Sequence, residues 1–539
     1  MKRAALALLL AAAAGDAAFA GGQPPRENFA NATDQAEAGV FEAREKDWRN
    51  GAVVYQVYVD RFAPPASLEA KRALYPAPKK LHPWTDLPVH GTWLPDAKVW
   101  SHEIDFWGGD LQSLRGKLDY VQGLGADVLY LNPIDLAYTN HKYDTLDYRA
   151  VSPEYGTRDD ARALARDVHA RGMKLVLDGV FNHMGRNSPQ FRQAEAEPHS
   201  PYRNWFVFGP QYAGGARSWA LAENLPELNL ENPAVRDDLY NAHDSIVRGW
   251  LRDGIDGWRL DVAFDIGFRY LGELTQAAHD EKPGSLVVGE IANFPKEWFP
   301  SVDGLIHFTL RQVIINVAAG RIDPATGQHM IDRIVQDADY EHILKSWVYL
   351  DNHDTPRLAS ALPDAPARRL AQVLQFTLPG APDMYYGTEL DMPGGDDPEM
   401  RAPMRWDLVT PDNAVLNWNR RLVALHKDNR ALRVGNYRPV TAGRLMGFER
   451  TTDRAADTVV VLLNPIDQPV TDTVLVADSK LMDGTRMVNL LAGKADPGTP
   501  ADVRLFSALM HLTLPAHGAV VLKPDVAPPG GYTNYKRVQ

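Results

Sequence analysis

Short apolar runs alternate with amphipathic stretches through most of the chain. Runs rich in Val, Ile and Leu fall at 53–59, 127–131, 174–180, 255–262, 286–290, 304–308, 347–351 and 383–386. Their length suits strands, and the stretches between them carry helical periodicity. The clearest is 157–172. Ala161, Leu164, Ala165 and Val168 fall at i, i+3, i+4 and i+7, Asp159, Asp160 and Arg162 take the other face, and Gly172 closes it. Strands alternating with helices predict a parallel sheet, and eight such units predict a (β/α)8 TIM barrel. The competing doubly wound open sheet would carry a Gly-x-Gly-x-x-Gly loop after its first strand, and none is present.

Two intervals break this rhythm. The loop 63–106 after the first strand is rich in Pro, Trp and His. The region at about 184–232, after the third strand, is rich in Pro, Gly, Trp and Tyr, and reads as an excursion on the barrel's C-terminal face (a domain B). From about residue 435 the helical pattern gives way to short β-branched runs such as 458–463 and 519–522, predicting a C-terminal antiparallel β-sandwich domain over 435–525. The catalytic barrel would then occupy 46–430, with a polar lead-in at 21–45 and a flexible tail at 526–539. The first twenty residues read as a signal peptide. Lys2 and Arg3 precede an all-Ala/Leu run at 4–14, and Ala18-Phe19-Ala20 fits cleavage after Ala20. A periplasmic or secreted protein is expected, without stable membrane insertion.

Composition narrows the chemistry. The 539 residues are 45% hydrophobic and 23% charged, as in a soluble globular protein. There is no cysteine, which excludes disulfides, thiolate metal sites and cysteine nucleophiles. A net charge of −12 without a long basic run excludes a nucleic-acid partner.

Acidic and other polar residues cluster at the ends of the apolar runs: Asp178, Asn182 and His183; Arg259 and Asp261; Glu290; and His353 with Asp354. Packing gives no reason for them, because an unpaired buried charge is costly. In a closed barrel all four run ends open at one mouth. Two carboxylates at one site suggest acid/base or nucleophilic work on an acetal. Metal binding competes, but no His-x-His or His-Glu-x-x-His spacing occurs, and Arg259 two residues from Asp261 favours an ionised carboxylate without a metal.

These four segments resemble the motifs of the α-amylase family of glycoside hydrolases. Asp178-x-x-x-Asn182-His183 resembles the first, Gly257-x-Arg259-x-Asp261 the second, Val288-Gly289-Glu290 the third and Asn352-His353-Asp354 the fourth. The likeness runs over about 50–430. Finer features resemble the neopullulanase, cyclomaltodextrinase and maltogenic amylase branch: the segment 140–145, Tyr202 to Phe206, Leu225 to Asn229, and Asp397-Pro398 with Arg401. The N-terminal β-domain common in that branch does not precede the first strand here, so a monomer or weak homodimer is expected. Ala292 and Phe264 stand where the branch usually has Trp and Asn.

The resemblance implies a retaining double displacement on an α-glucan or maltooligosaccharide. Asp261 would be the nucleophile, Glu290 the acid/base and Asp354 the third carboxylate. Arg259 would keep Asp261 ionised, and Glu290 would stay protonated. His141, His183 and His353 would bond sugar hydroxyls, Tyr143 would offer a ring face, and Trp205 would serve more distant sugars. Asp178 would support the site by holding Arg259. Transglycosylation with the same residues is the alternative, and an inactive sugar-binding protein the alternative of another class. The resemblance also implies possible structural calcium, at Asn182 and at Gly108 with Asp110. The acidic loop that would complete the second site is replaced here by Ala63-Pro64-Pro65-Ala66. No organic cofactor is implied.

Overall fold

The computed structural model describes residues 32–493 and 498–525. The signal peptide with its cleavage position and the tail at 526–539 lie outside the described residues. Eight parallel strands close into a barrel: β1 (Val54–Val57), β2 (Val128–Leu131), β3 (Lys174–Gly179), β4 (Gly257–Leu260), β5 (Leu286–Ile291), β6 (Gly304–His307), β7 (Trp347–Tyr349) and β8 (Ala381–Tyr385). Each strand pairs with its sequence neighbours and β8 pairs with β1, the closure of a (β/α)8 fold.

The helices that cover the barrel follow from the periodic stretches. The 157–172 pattern becomes a helix at Arg158–Ala170, started by Thr157, whose hydroxyl accepts the Asp160 N–H in a capping box. Its four patterned residues are the buried ones. Further helices include Ile246–Asp253, Ala263–Glu281, Phe308–Ala318, Ala365–Thr377 and Ala414–Asp428.

Strand periodicity builds the mouth. Val54, Tyr130, Val176 and Val288 belong to the apolar cluster that fills the barrel. Side chains alternate along a strand, so the residue two positions on points the same way. Those residues are Gln56, Asn132, Asp178 and Glu290. An apolar floor therefore carries a polar layer at the strands' C-terminal ends.

Some boundaries differ from the sequence reading. Within the run 255–262 only four residues pair as a strand. Val262 has φ +47°, a left-handed conformation that is unfavourable for a β-branched residue. The last strand starts at Ala381 and includes Pro382, which pairs in register with Val348. The lead-in contains a helix, Ala32–Lys46. It is held by buried Phe41 and by Arg44, which pairs with Glu341 at 2.6 Å and donates to the Val434 carbonyl at 3.0 Å.

The excursion after β3 holds a helix at Pro189–Ala196 and mostly short turns. Beyond the barrel, six antiparallel strands form one sheet and Val470–Leu475 with Leu509–Leu514 form a ribbon. In the central strand Val459–Leu463, Val459, Val461 and Leu463 join the barrel's core cluster, while Val460 and Leu462 join a second core shared with the ribbon. Among the described residues no helix is long and apolar enough to cross a membrane.

Candidate active site

Arg259 sits fully buried at the end of β4, its guanidinium spanning three carboxylates. Nη1 donates to both Asp178 oxygens, at 2.7 and 2.9 Å, and to Asp261 Oδ1 at 3.1 Å. Nη2 forms an ion pair with Glu290 Oε1 at 2.8 Å. The register explains this convergence: Arg259 lies opposite Asp178 on β3 and Val288 on β5, and Asp261 and Glu290 follow two residues on. Asp178 is saturated, since Tyr130 and Tyr143 hydroxyls also donate to Oδ2, at 2.7 and 2.9 Å.

Arg259 is not the strongest influence on the Asp261 carboxyl. Burial, and then the negative charge of Glu290, push the Asp261 carboxyl well above the usual range, against the pull of Arg259. Glu290 stands closer to the guanidinium and also accepts the Val262 N–H at 3.0 Å. The left-handed turn at Val262 delivers that donor, so the strained backbone lies beside the reacting groups. The two carboxyls share one cation. We expect a bell-shaped pH dependence of kcat/KM, with the acid limb displaced above the ordinary aspartate value of ~3.9. A profile flat between about pH 4 and 9 would contradict this.

Asp354 stands at the mouth. His353 Nε2 lies 2.8 Å from Oδ2 and Arg401 donates to Oδ1 at 3.0 Å. The surrounding protein would raise its pKa, but His353 and then Arg401 outweigh that and hold the carboxyl well below its usual range. Arg401 also donates to the His353 carbonyl at 2.9 Å and pairs with Asp397 at 3.0 Å, clamping the segment from two sides.

His183 Nε2 lies 3.9 Å from Asp261 Oδ2, and burial pushes its pKa down to about 3, which keeps the imidazole neutral. His141 accepts the Tyr143 N–H at 3.0 Å and faces Glu103 at 3.4 Å. The Tyr143 hydroxyl meets His353 Nε2 at 2.5 Å, and its ring lies nearly parallel to that of His353. Trp205 is not part of this convergence. It sits on a short turn of the excursion, packs edge-on against Tyr202 at 5.0 Å and presses on the apolar core.

The two positions named for calcium differ in their surroundings. The Asn182 side-chain amide nitrogen lies 3.4 Å from His183 Nδ1, and the Asn182 backbone carbonyl accepts the Leu228 N–H at 2.9 Å. At Gly108 and Asp110 the ammonium of Lys71 already bonds the oxygens, at 2.7 and 2.9 Å. Among the described residues no group of three or more His, Asp or Glu could hold a metal ion.

Several residues at the site carried no assigned role in the sequence reading. Gln56 donates to Asn132 Oδ1 at 3.1 Å and contacts His353 Nδ1 at 2.9 Å. Trp219, from the excursion, lies nearly parallel to the His183 ring at 5.8 Å. Arg401 and Asp397 were visible only as parts of a motif. For Gln56 and Asn132 a usable signal existed: each is a polar residue two positions after an inward apolar one.

A family model described as "Alpha amylase, catalytic domain" matches residues 56–422. An intracellular maltogenic amylase of Bacillus subtilis (strain 168) is 34% identical over 412 residues, covering 74% of this chain and 64% of the relative. The chain thus spans a little under two thirds of that relative's length. Neopullulanase 2 of Thermoactinomyces vulgaris is 30% identical over 496 residues, covering 88% of this chain and 80% of the relative. Among solved structures, a cyclic α-maltosyl-(1→6)-maltose hydrolase from Arthrobacter globiformis superposes with a TM-score of 0.72 at 28% identity. That match covers 88% of this chain and 99% of the other.

Proposed function

The chain belongs to the α-amylase family, and from that premise we propose that it is a retaining glycoside hydrolase. Its substrates are α-1,4-glucosidic bonds in maltooligosaccharides, starch-type glucans or cyclodextrins. The observation that carries this reading is the single guanidinium of Arg259 holding Asp178, Asp261 and Glu290 together at the barrel mouth, with Asp354 across it. In the proposed mechanism Asp261 attacks the anomeric carbon and Glu290 protonates the leaving oxygen, then deprotonates the incoming water. Asp354, the neutral imidazole of His183, and His353 bond the hydroxyls of the sugar being distorted. Tyr143, anchored through its hydroxyl, offers its ring to that sugar.

The test is product chromatography from maltotriose, starch, cyclodextrin and pullulan, with NMR of the first-formed anomer. Shorter α-anomeric maltooligosaccharides are the expected result. Initial β-anomers would overturn the retaining mechanism. Oligosaccharides longer than maltotriose would show that transfer to sugar competes with water. Export through residues 1–20 remains a proposal from the sequence alone, and the Bacillus subtilis relative is intracellular by name.

A further inference from the structure

Lys71 lies in the loop that follows β1, just after the stretch 63–66 that lacks acidic residues. Its side chain is only 12% exposed. The ammonium donates to the Gly108 carbonyl at 2.7 Å, to Asp110 Oδ2 at 2.9 Å and to the Glu154 carbonyl at 2.7 Å. Those are its three donors, and all are used. Two carbonyls and a carboxylate are the oxygens that a hard cation such as calcium takes. Gly108 can aim its carbonyl there because φ is +83°, a turn that favours glycine.

Two more lysines converge on the same corner. Lys79 Nζ contacts Glu154 Oε1 at 2.6 Å, and the fully buried Lys142 Nζ lies 3.6 Å from the same oxygen. Burial would raise the Glu154 pKa, but Lys142 and then Lys79 hold it at about 2. Lys142 stands between His141 and Tyr143, in a left-handed conformation with φ +66°. The corner therefore fixes the segment that delivers two site residues to the mouth.

We propose that Lys71 is a built-in cation, doing at Gly108, Asp110 and Glu154 the work of a structural metal, so that this corner needs no divalent ion. The positive charge arrives on the chain itself and cannot be removed by a chelator. The position should still have the character of a cation site once the ammonium is removed. Truncating Lys71 leaves two carbonyls, one carboxylate and space for water, a set that a calcium ion can complete weakly.

The test is thermal unfolding of the full chain and two variants, each in EDTA and in about 1–5 mM CaCl2. The wild-type midpoint should be the same in both. Lys71→Ala should unfold roughly 2–6 °C lower in EDTA and regain part of that loss in CaCl2. Lys71→Met, whose apolar chain fills the space, should be lowered and gain nothing from calcium. A wild-type midpoint that falls in EDTA would overturn the proposal, even if neither variant folds. So would a Lys71→Ala midpoint equal to wild type, or an equal calcium response in the two variants.

Discussion

Asp261→Asn and Glu290→Gln are expected to abolish hydrolysis of maltooligosaccharides while differing on an activated substrate. Both substitutions nearly preserve shape, and both positions lie on barrel strand ends whose backbone pairing does not involve the side chain. An amide at 261 cannot act as the anionic nucleophile, so no glycosyl-enzyme forms from any donor. An amide at 290 cannot protonate a sugar leaving group, but fluoride leaves without that proton. Glu290→Gln should therefore be glycosylated by α-maltosyl fluoride and turn over slowly, with azide accelerating release. Asp261→Asn should do neither. Losses on maltotriose should reach ~10²–10⁴-fold or more, the usual scale of acid/base assistance. The swap at 290 also replaces a carboxylate oxygen that pairs with Arg259, so the folded state should be checked by unfolding midpoint. Near-normal activity of Glu290→Gln on maltotriose would remove it from the proton-donor role.

The barrel was readable because its strands are buried on both faces and read as uninterrupted apolar runs. The helix Ala32–Lys46 was not. It is tied down by Phe41 and by the polar contacts of Arg44, so its sequence shows no apolar stripe. Pro382 hid the start of β8 for a related reason. Proline inside a pattern argues against a central strand, yet here the register with Val348 begins before Asp383.

At the site, Asp178, Asp261, Glu290 and Asp354 sit where an apolar run ends in an acid, a change packing cannot explain, whereas His141 and Tyr143 lie on a loop and are named through the family resemblance. The clamps around them depend on contacts between distant segments. Arg401 reaches Asp354 and His353 from a loop after β8, and Glu103 faces His141 from the loop after β1. No local pattern encodes such meetings. Lys71 carries no local signal either, because its three oxygen partners come from segments 37 to 83 residues away. Trp205 lies away from the convergence of carboxylates, half-buried against Tyr202 and the apolar core.

Removing the central cation should be the most damaging single change to stability at this site. Arg259→Met keeps much of the side-chain volume but leaves the buried Asp178 and Asp261 and the partly buried Glu290 together without their guanidinium. Breaking one side of a buried ion pair costs ~3–5 kcal/mol, because the remaining charge is uncompensated. The carboxyls would answer by taking up protons, since burial and like charges both raise their pKa values. Their folded-state values would then exceed the unfolded ones near ~4. A raised carboxyl leaves the folded state binding more protons than the unfolded chain, so stability falls as pH rises through that interval. The deficit of Arg259→Met relative to wild type should therefore be large at pH 7 and shrink towards pH 4. Denaturant midpoints at the two pH values measure it. Adding Asp178→Asn removes one of the stranded charges and should restore part of the stability, while activity stays lost because Asp261 and Glu290 lack the guanidinium that both contact. A deficit that is independent of pH would mean that Arg259 contributes by packing, and the charge-sharing account of this mouth would fail.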